Sequence, residues 1–172
     1  HGLLAAATGH VEQHLRRSLI SQGWELTLDR WPTCNAMRWG NDRLTPVSRI
    51  ELPRAPVIAV SEVRYVDMDG TPTVLAPSAY QVDLASAPAR VAPAFGTAWP
   101  SARNQMAAIR VTYQAGYGAS WNDVPETIRH AIMMMAAHFY ENREAVVVGT
   151  ITSELPLAVK IILEPYRLWG HA

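Results

Sequence analysis

His10-Val-Glu-Gln-His14 places two imidazoles one helical turn apart, a separation at which both can reach one metal ion. A zinc hydrolase of that type needs Glu directly after the first His, as the general base, and this chain has Val11 there. The pair therefore reads as two histidines on the surface of a helix. His138 and Glu141, three apart, resemble half of a carboxylate-bridged di-iron site. Their order is reversed from Glu-x-x-His and no second copy exists, so His138 suits local carbonyls near a helix end, where positive charge is favoured. Asp67-Met-Asp-Gly70 has its glycine two positions too early for a calcium loop, and Ser78 stands where the bidentate Glu should be, which leaves a side-chain-stabilised turn. Gly118-Ala-Ser-Trp-Asn122 sits between a strand and a helix, as a nucleophile elbow would. Asn122 replaces the second glycine, and Ser120 has no evident Asp and His partners. A small hydrolase or metal-dependent enzyme using His10, His14 or Ser120 is thus the alternative reading, and the expected one is that the chain is not an enzyme and holds no cofactor. A third reading, a ligand- or carbohydrate-binding module, would use an aromatic platform at Trp31, Trp39 and Trp99.

The elements that would carry these residues fall into three stretches: 1–22 as an N-terminal helix, 23–118 as an inserted β-rich lobe, and 119–172 as helices that complete a helical core. Leu4, Ala7, Val11, Leu15 and Leu19 recur every three or four residues, so a helix is expected from Leu3 to Ile20, weakened at Gly9 and ended by Gly23. Trp24 to Trp31 alternates as a strand. Nine of the 12 prolines lie between Pro32 and Pro100, which excludes long helices there. Short strands are expected at Arg49–Leu52, Val57–Val66, Thr73–Leu75, Tyr80–Asp83, Arg90–Val91 and Ala108–Ala115. Their links are too short for helical crossovers, so the sheet is antiparallel, a sandwich or barrel-like arrangement. Asp123 is expected to cap a helix running to about Asn142, with Glu126 completing a capping box and apolar residues on more than one side. A last helix starts at Pro156 and ends near Pro165. Between the two lies the β-branched stretch Val146 to Thr152, expected to be extended. The fold class is α+β, a small helical bundle with an inserted antiparallel β-rich lobe.

The chain has 172 residues, 49% of them hydrophobic, enough for a core. Its formal net charge is zero, which argues against coating nucleic acid or an anionic membrane. Cys34 is the single cysteine, so no intrachain disulfide forms and a reducing compartment is expected. No apolar run approaches the roughly 20 residues of a membrane span, and none opens the chain as a leader. Fourteen Arg stand against the single Lys160, alongside six Trp; both types are enriched in protein interfaces.

Several ordered pieces carry a resemblance: His10-Val-Glu12, Leu19-Ile-Ser-Gln-Gly-Trp-Glu-Leu-Thr-Leu-Asp-Arg30, Pro77-Ser-Ala-Tyr-Gln-Val-Asp83, Ala98-Trp-Pro100, Ala115-Gly-Tyr-Gly118, Val124-Pro-Glu-Thr-Ile128, Tyr140-Glu-Asn-Arg-Glu144, and Leu155-Pro-Leu through Pro165-Tyr-Arg167. In this order and spacing, over most of the chain, they resemble the head-tail connector, or adaptor, proteins of long-tailed bacteriophages and phage-like gene transfer particles. The resemblance implies a non-enzymatic virion structural protein, assembled in the bacterial cytoplasm and located at the head-tail junction. It implies a homo-oligomeric ring, typically of 12 copies, that docks on the portal protein, extends the DNA channel with passive contact to DNA, and meets a neck stopper or tail terminator protein. The family's usual first helix would precede Leu3, so an upstream element is expected. Ring subunits need two different complementary surfaces. Val146, Val147, Val148, Thr150, Ile151 and Thr152 are expected to cross onto a neighbouring subunit, and Tyr166, Arg167, Leu168 and Trp169 to reach the portal.

Overall fold

The computed structural model describes residues 2–32, 48–141 and 156–168. Among the described residues, three α-helices and seven strands fall into two compact units, residues 1–21 with 116–172, and residues 22–115. The fold is α+β.

In the helical unit, α1 (Gly2–Leu15) buries Ala7, Val11 and Leu15, the stripe set by its three- and four-residue spacing. Helix α2 (Glu126–Glu141) buries Ile128, Ala131, Ile132 and Met135, and α3 (Leu157–Leu163) buries Val159 and Leu163. These side chains form one core with Leu19 and Val124. Each fully buried aliphatic side chain contributes about 1.5–3 kcal/mol, which is what holds a seven-residue helix such as α3 in place.

The helix expected to run to Ile20 stops at Leu15. Arg16 adopts φ 55° and the last turn closes as a Schellman motif, Arg17 N–H donating to the Glu12 carbonyl at 3.2 Å and Arg16 N–H to that of Gln13 at 3.3 Å. Glu12 then accepts the Leu19 N–H on Oε1 at 2.8 Å, fixing the turn that follows. Gly23 is consequently no helix stop; it lies inside the first strand. Asp123 does not cap α2 either. It closes a 3-10 turn, Trp121–Asp123, in a capping box with Ser120, and α2 starts after Pro125, whose carbonyl accepts from Ile128 and Arg129. Helix α2 is buried on one face rather than on several: Met133 and Tyr140 stay 54% and 60% exposed.

The β unit contains β1 (Gln22–Leu28), β2 (Ile50–Glu51), β3 (Val57–Val66), β4 (Pro72–Val74), β5 (Tyr80–Asp83), β6 (Arg90–Pro93) and β7 (Ile109–Ala115). They form two antiparallel sheets, in the orders β1-β7-β3-β4 and β2-β6-β5, with no closed barrel among the described residues. Strand β7 alternates strictly, Ile109, Val111, Tyr113 and Ala115 buried and the residues between them exposed, as period-two side chains on a half-covered sheet must. It pairs with β1 over all seven residues, from Gln22 opposite Ala115 to Leu28 opposite Ile109. The β3–β4 hairpin turns on Asp67, whose Oδ1 accepts from the N–H groups of Asp69 (3.0 Å) and Thr71 (2.8 Å). In the β5–β6 hairpin, hydrogen bonds from Ser86 and then Arg90 hold the Asp83 carboxyl down at about 2.

Candidate assembly surfaces

The residues proposed for chemistry are not brought together. His10 lies edge-on to Phe139, ring centres 6.3 Å apart, while His14, one turn on, faces Arg167, Glu164 and Lys160 from the end of the chain. Burial holds the His14 imidazole below its ordinary range, and Arg167 adds to this against the opposing pull of Glu164. Among the described residues no three His, Cys, Asp or Glu side chains could hold a metal ion. Ser120 is occupied as a cap: its hydroxyl accepts from Asn122 N–H at 3.3 Å, and its own N–H donates to Asp123 Oδ2 at 2.8 Å. His138 and Glu141 are both exposed. A 440 Å³ open cleft lies on the helical unit, lined by Trp121, Glu126, Arg129, His130, Met133 and Ile162, and it contains none of the proposed catalytic groups. The indoles of Trp31 and Trp99 stack on each other at 4.4 Å with Tyr65 alongside; Trp99 donates to the Ser48 carbonyl at 3.1 Å, so both rings are built into the β unit rather than set out as a platform. No described helix is long and apolar enough to cross a membrane.

What the helical unit offers instead is apolar surface. On α3, Val159 and Leu163 point into the core while Leu157 and Ile161, one turn apart, are 72% and 65% exposed. On α2, Met133, Ala137 and Tyr140 form a second outward row. Leu3 and Leu4 continue the buried stripe of α1 but stay uncovered. Within α2 and within α3 these exposed side chains recur at helical spacing, unlike singly scattered surface apolars. Sequence periodicity alone could not separate the two faces of α3, because both are apolar.

The end of the described chain is anchored. After α3 a 3-10 turn, Glu164–Tyr166, forms where Pro165 removes a backbone donor. Leu168 N–H donates to the Leu15 carbonyl at 3.0 Å, and the Leu168 side chain is 7% exposed. Arg17 Nε donates to the Tyr166 carbonyl at 2.5 Å, and the same guanidinium bonds the Tyr117 hydroxyl, whose pKa is raised above its ordinary value chiefly by burial. Beside them Tyr117 N–H donates to the Leu19 carbonyl (3.0 Å) and Ser21 N–H to that of Gly118 (2.8 Å). Of the residues expected to meet a portal, Tyr166 and Arg167 are half-buried and Leu168 is an anchor within its own unit; Trp169 lies outside the described residues, as do Val146 to Thr152, Cys34 and Trp39.

Neither a protein-family model nor a curated protein matches this sequence. Solved structures do. The chain is similar to one in the virion of a native gene transfer agent particle, with TM-score 0.73 and 25% identity over 99% of this chain and 77% of that one. It is similar to a chain in the neck of an empty particle of that kind, computed with C6 symmetry, with TM-score 0.70, 28% identity and coverage of 99% and 77%. For a chain in the neck of the native particle, computed with C12 symmetry, the values are 0.69, 28%, 99% and 82%. The near-complete coverage takes in both the helical and the β unit.

Proposed function

We propose that this chain, a head-tail connector-type structural protein of phage-like particles, works as a ring-forming adaptor. The observation that carries the reading is likeness over 99% of the chain, in sequence and in fold, to neck chains of particles treated with sixfold and twelvefold symmetry. A closed ring of 12 copies is the natural form, built on heterologous contacts in which two different faces of each subunit meet. The outward rows on α2 and α3 supply one apolar face, and the uncovered Leu3 and Leu4 of α1 a second. The stretch Val146 to Thr152 crosses onto the neighbouring copy. The chain end, with Tyr166, Arg167 and Trp169, docks on the portal, and the opposite surface receives a neck stopper or tail terminator protein. With zero net charge, the ring lets DNA pass with only passive contact. Function is therefore structural, with the described histidines and Ser120 serving the fold.

Native mass spectrometry tests the reading, alone and with the portal ring of the same particles. A species near 12 times the mass of the chain, or a portal complex holding 12 copies, is expected. A chain that stays monomeric and never joins a portal ring would sink it.

A further inference from the structure

Just past the end of β6 the chain turns sharply over residues 94–97 and holds Phe95 out into solvent at 101% exposure. The turn is built. Thr97 N–H donates to the Ala94 carbonyl at 3.0 Å and the Thr97 hydroxyl to the same carbonyl at 2.8 Å, while Gly96 takes the left-handed φ of 75° that the third position of a type II turn needs. Ala94 N–H donates in turn to the Ala79 carbonyl at 3.0 Å, which ties the turn to the start of β5. Although 17% of the chain is charged, residues 71–82 and 91–102, which this bond joins, contain no Asp, Glu, Lys, Arg or His. Loss of charge around an aromatic side chain is the composition of an interface core, and singly scattered surface apolars lack it. The chain's other phenylalanine, Phe139, packs on the helical core.

We propose that Phe95 is a knob that enters the 440 Å³ cleft on the helical unit of the next copy of this chain in the ring. The inference rests on the ring-forming reading above, and it names what one of the two unlike faces of a subunit inserts into the other. Three groups lining the cleft suit a phenyl ring. Trp121 offers an indole for edge-to-face contact, Met133 a thioether that favours an aromatic edge, and Arg129 a guanidinium for the ring face. The Arg129 side chain is little engaged: among the described residues it makes one hydrogen bond, from Nη1 to Asn122 Oδ1 at 3.4 Å, and its buried Nε has no partner. Glu126 and His130 also line the cleft and are themselves exposed, so their polar ends stay in water when a ring enters. Met133 belongs to the outward row of α2, and the knob therefore covers part of the face already assigned to a neighbouring copy. A hydrogen-bonded turn carrying an aromatic side chain with two rotatable angles loses little entropy on docking.

The test replaces Phe95 with p-benzoylphenylalanine in the full chain, assembles rings alone or on portal rings of the same particles, and maps the photo-crosslink by mass spectrometry. The crosslink should join two copies, running to the peptide that carries Trp121 to Met133 or to the one that carries Ile162. Phe95→Ser should leave the melting temperature of the monomer unchanged, because the ring is fully exposed in its own chain, and should raise the concentration for half-assembly about tenfold. Met133→Glu should weaken assembly from the other side of the same contact. A crosslink to the portal, to another region of a neighbouring copy or only within one chain overturns the proposal, and so do Phe95→Ser rings that assemble like those of the parent. Should Phe95→Ser lower the melting temperature of the monomer, the ring packs within its own chain and the knob is refuted. In each of these cases the parent still forms rings, so only the role of Phe95 fails. A parent chain that never forms a ring, alone or on a portal, refutes the ring-forming reading and the knob with it.

Discussion

Helix α3 allows two residues two positions apart to be set against each other. Leu163 is fully buried against α1 and α2, while Ile161 is 65% exposed on the same seven-residue helix. Leu163→Ala removes three buried carbon atoms and leaves a cavity, which for a fully enclosed leucine costs about 3 kcal/mol. In a unit of this size that corresponds to a fall of roughly 15 °C in the melting temperature of its helical transition. Ile161→Ala gives up little buried surface and replaces a β-branched residue with a better helix former, so the change in stability should stay within about 0.5 kcal/mol. The same Ile161→Ala should nevertheless weaken assembly, because its side chain belongs to the face assigned to a neighbouring copy. Urea unfolding followed by far-ultraviolet circular dichroism, with native mass measured on the same samples, reads both effects. If Leu163→Ala loses less than about 1 kcal/mol, or Ile161→Ala loses as much as Leu163→Ala, the assignment of inner and outer faces on α3 is wrong.

Two glycines should respond in opposite ways. Gly9, inside α1, has open space where a Cβ would go, so Gly9→Ala should stabilise by about 0.5–1 kcal/mol; at Gly116, with φ 145° and a Cβ only 2.5 Å from the Ser21 nitrogen, Gly116→Ala should cost about 3 kcal/mol or prevent folding, both read by thermal melts. His14, its pKa depressed by burial and by Arg167, with His10 and Lys160 adding to this and Glu164 opposing, makes the folded chain resist protonation. The stability it contributes is full above the unfolded value of 6.5 and is lost as pH falls towards the lower folded value, so His14→Gln should flatten the stability profile below pH 6.5 in denaturant titrations.

Much of the β unit was legible because its signal is local. Val57–Val66 and Tyr80–Asp83 form with the expected bounds, and Asp67-Met-Asp-Gly70 is the turn its side chains suggested. Which strands share a sheet was not legible, since β1 and β7 pair across more than 80 residues and nothing in either strand names its partner. The end of α1 was misjudged for a related reason. Leu19 keeps the helical spacing and is fully buried, but it reaches the core from a turn held by the Glu12 carboxylate, not from a continued helix. A left-handed arginine at position 16 gives no compositional warning where a glycine would have. On α2 the apolar surface is broad in the sequence, but an exposed side chain such as Met133 looks there like one buried in the core. The contacts of Arg17 lie beyond any local pattern.

The pairing of Gln22 with Ala115 has a consequence for how such chains can be re-engineered or diversified. The 94-residue β unit begins and ends on adjacent strands, so its two ends sit about 5 Å apart, a gap that a single tight turn can bridge. It is an exchangeable cassette in geometry, removable between Ser21 and Gly116 without lengthening any connection in the helices. The outward apolar rows of α2 and α3 could then remain constant while whole lobes of unrelated origin are grafted at one fixed socket.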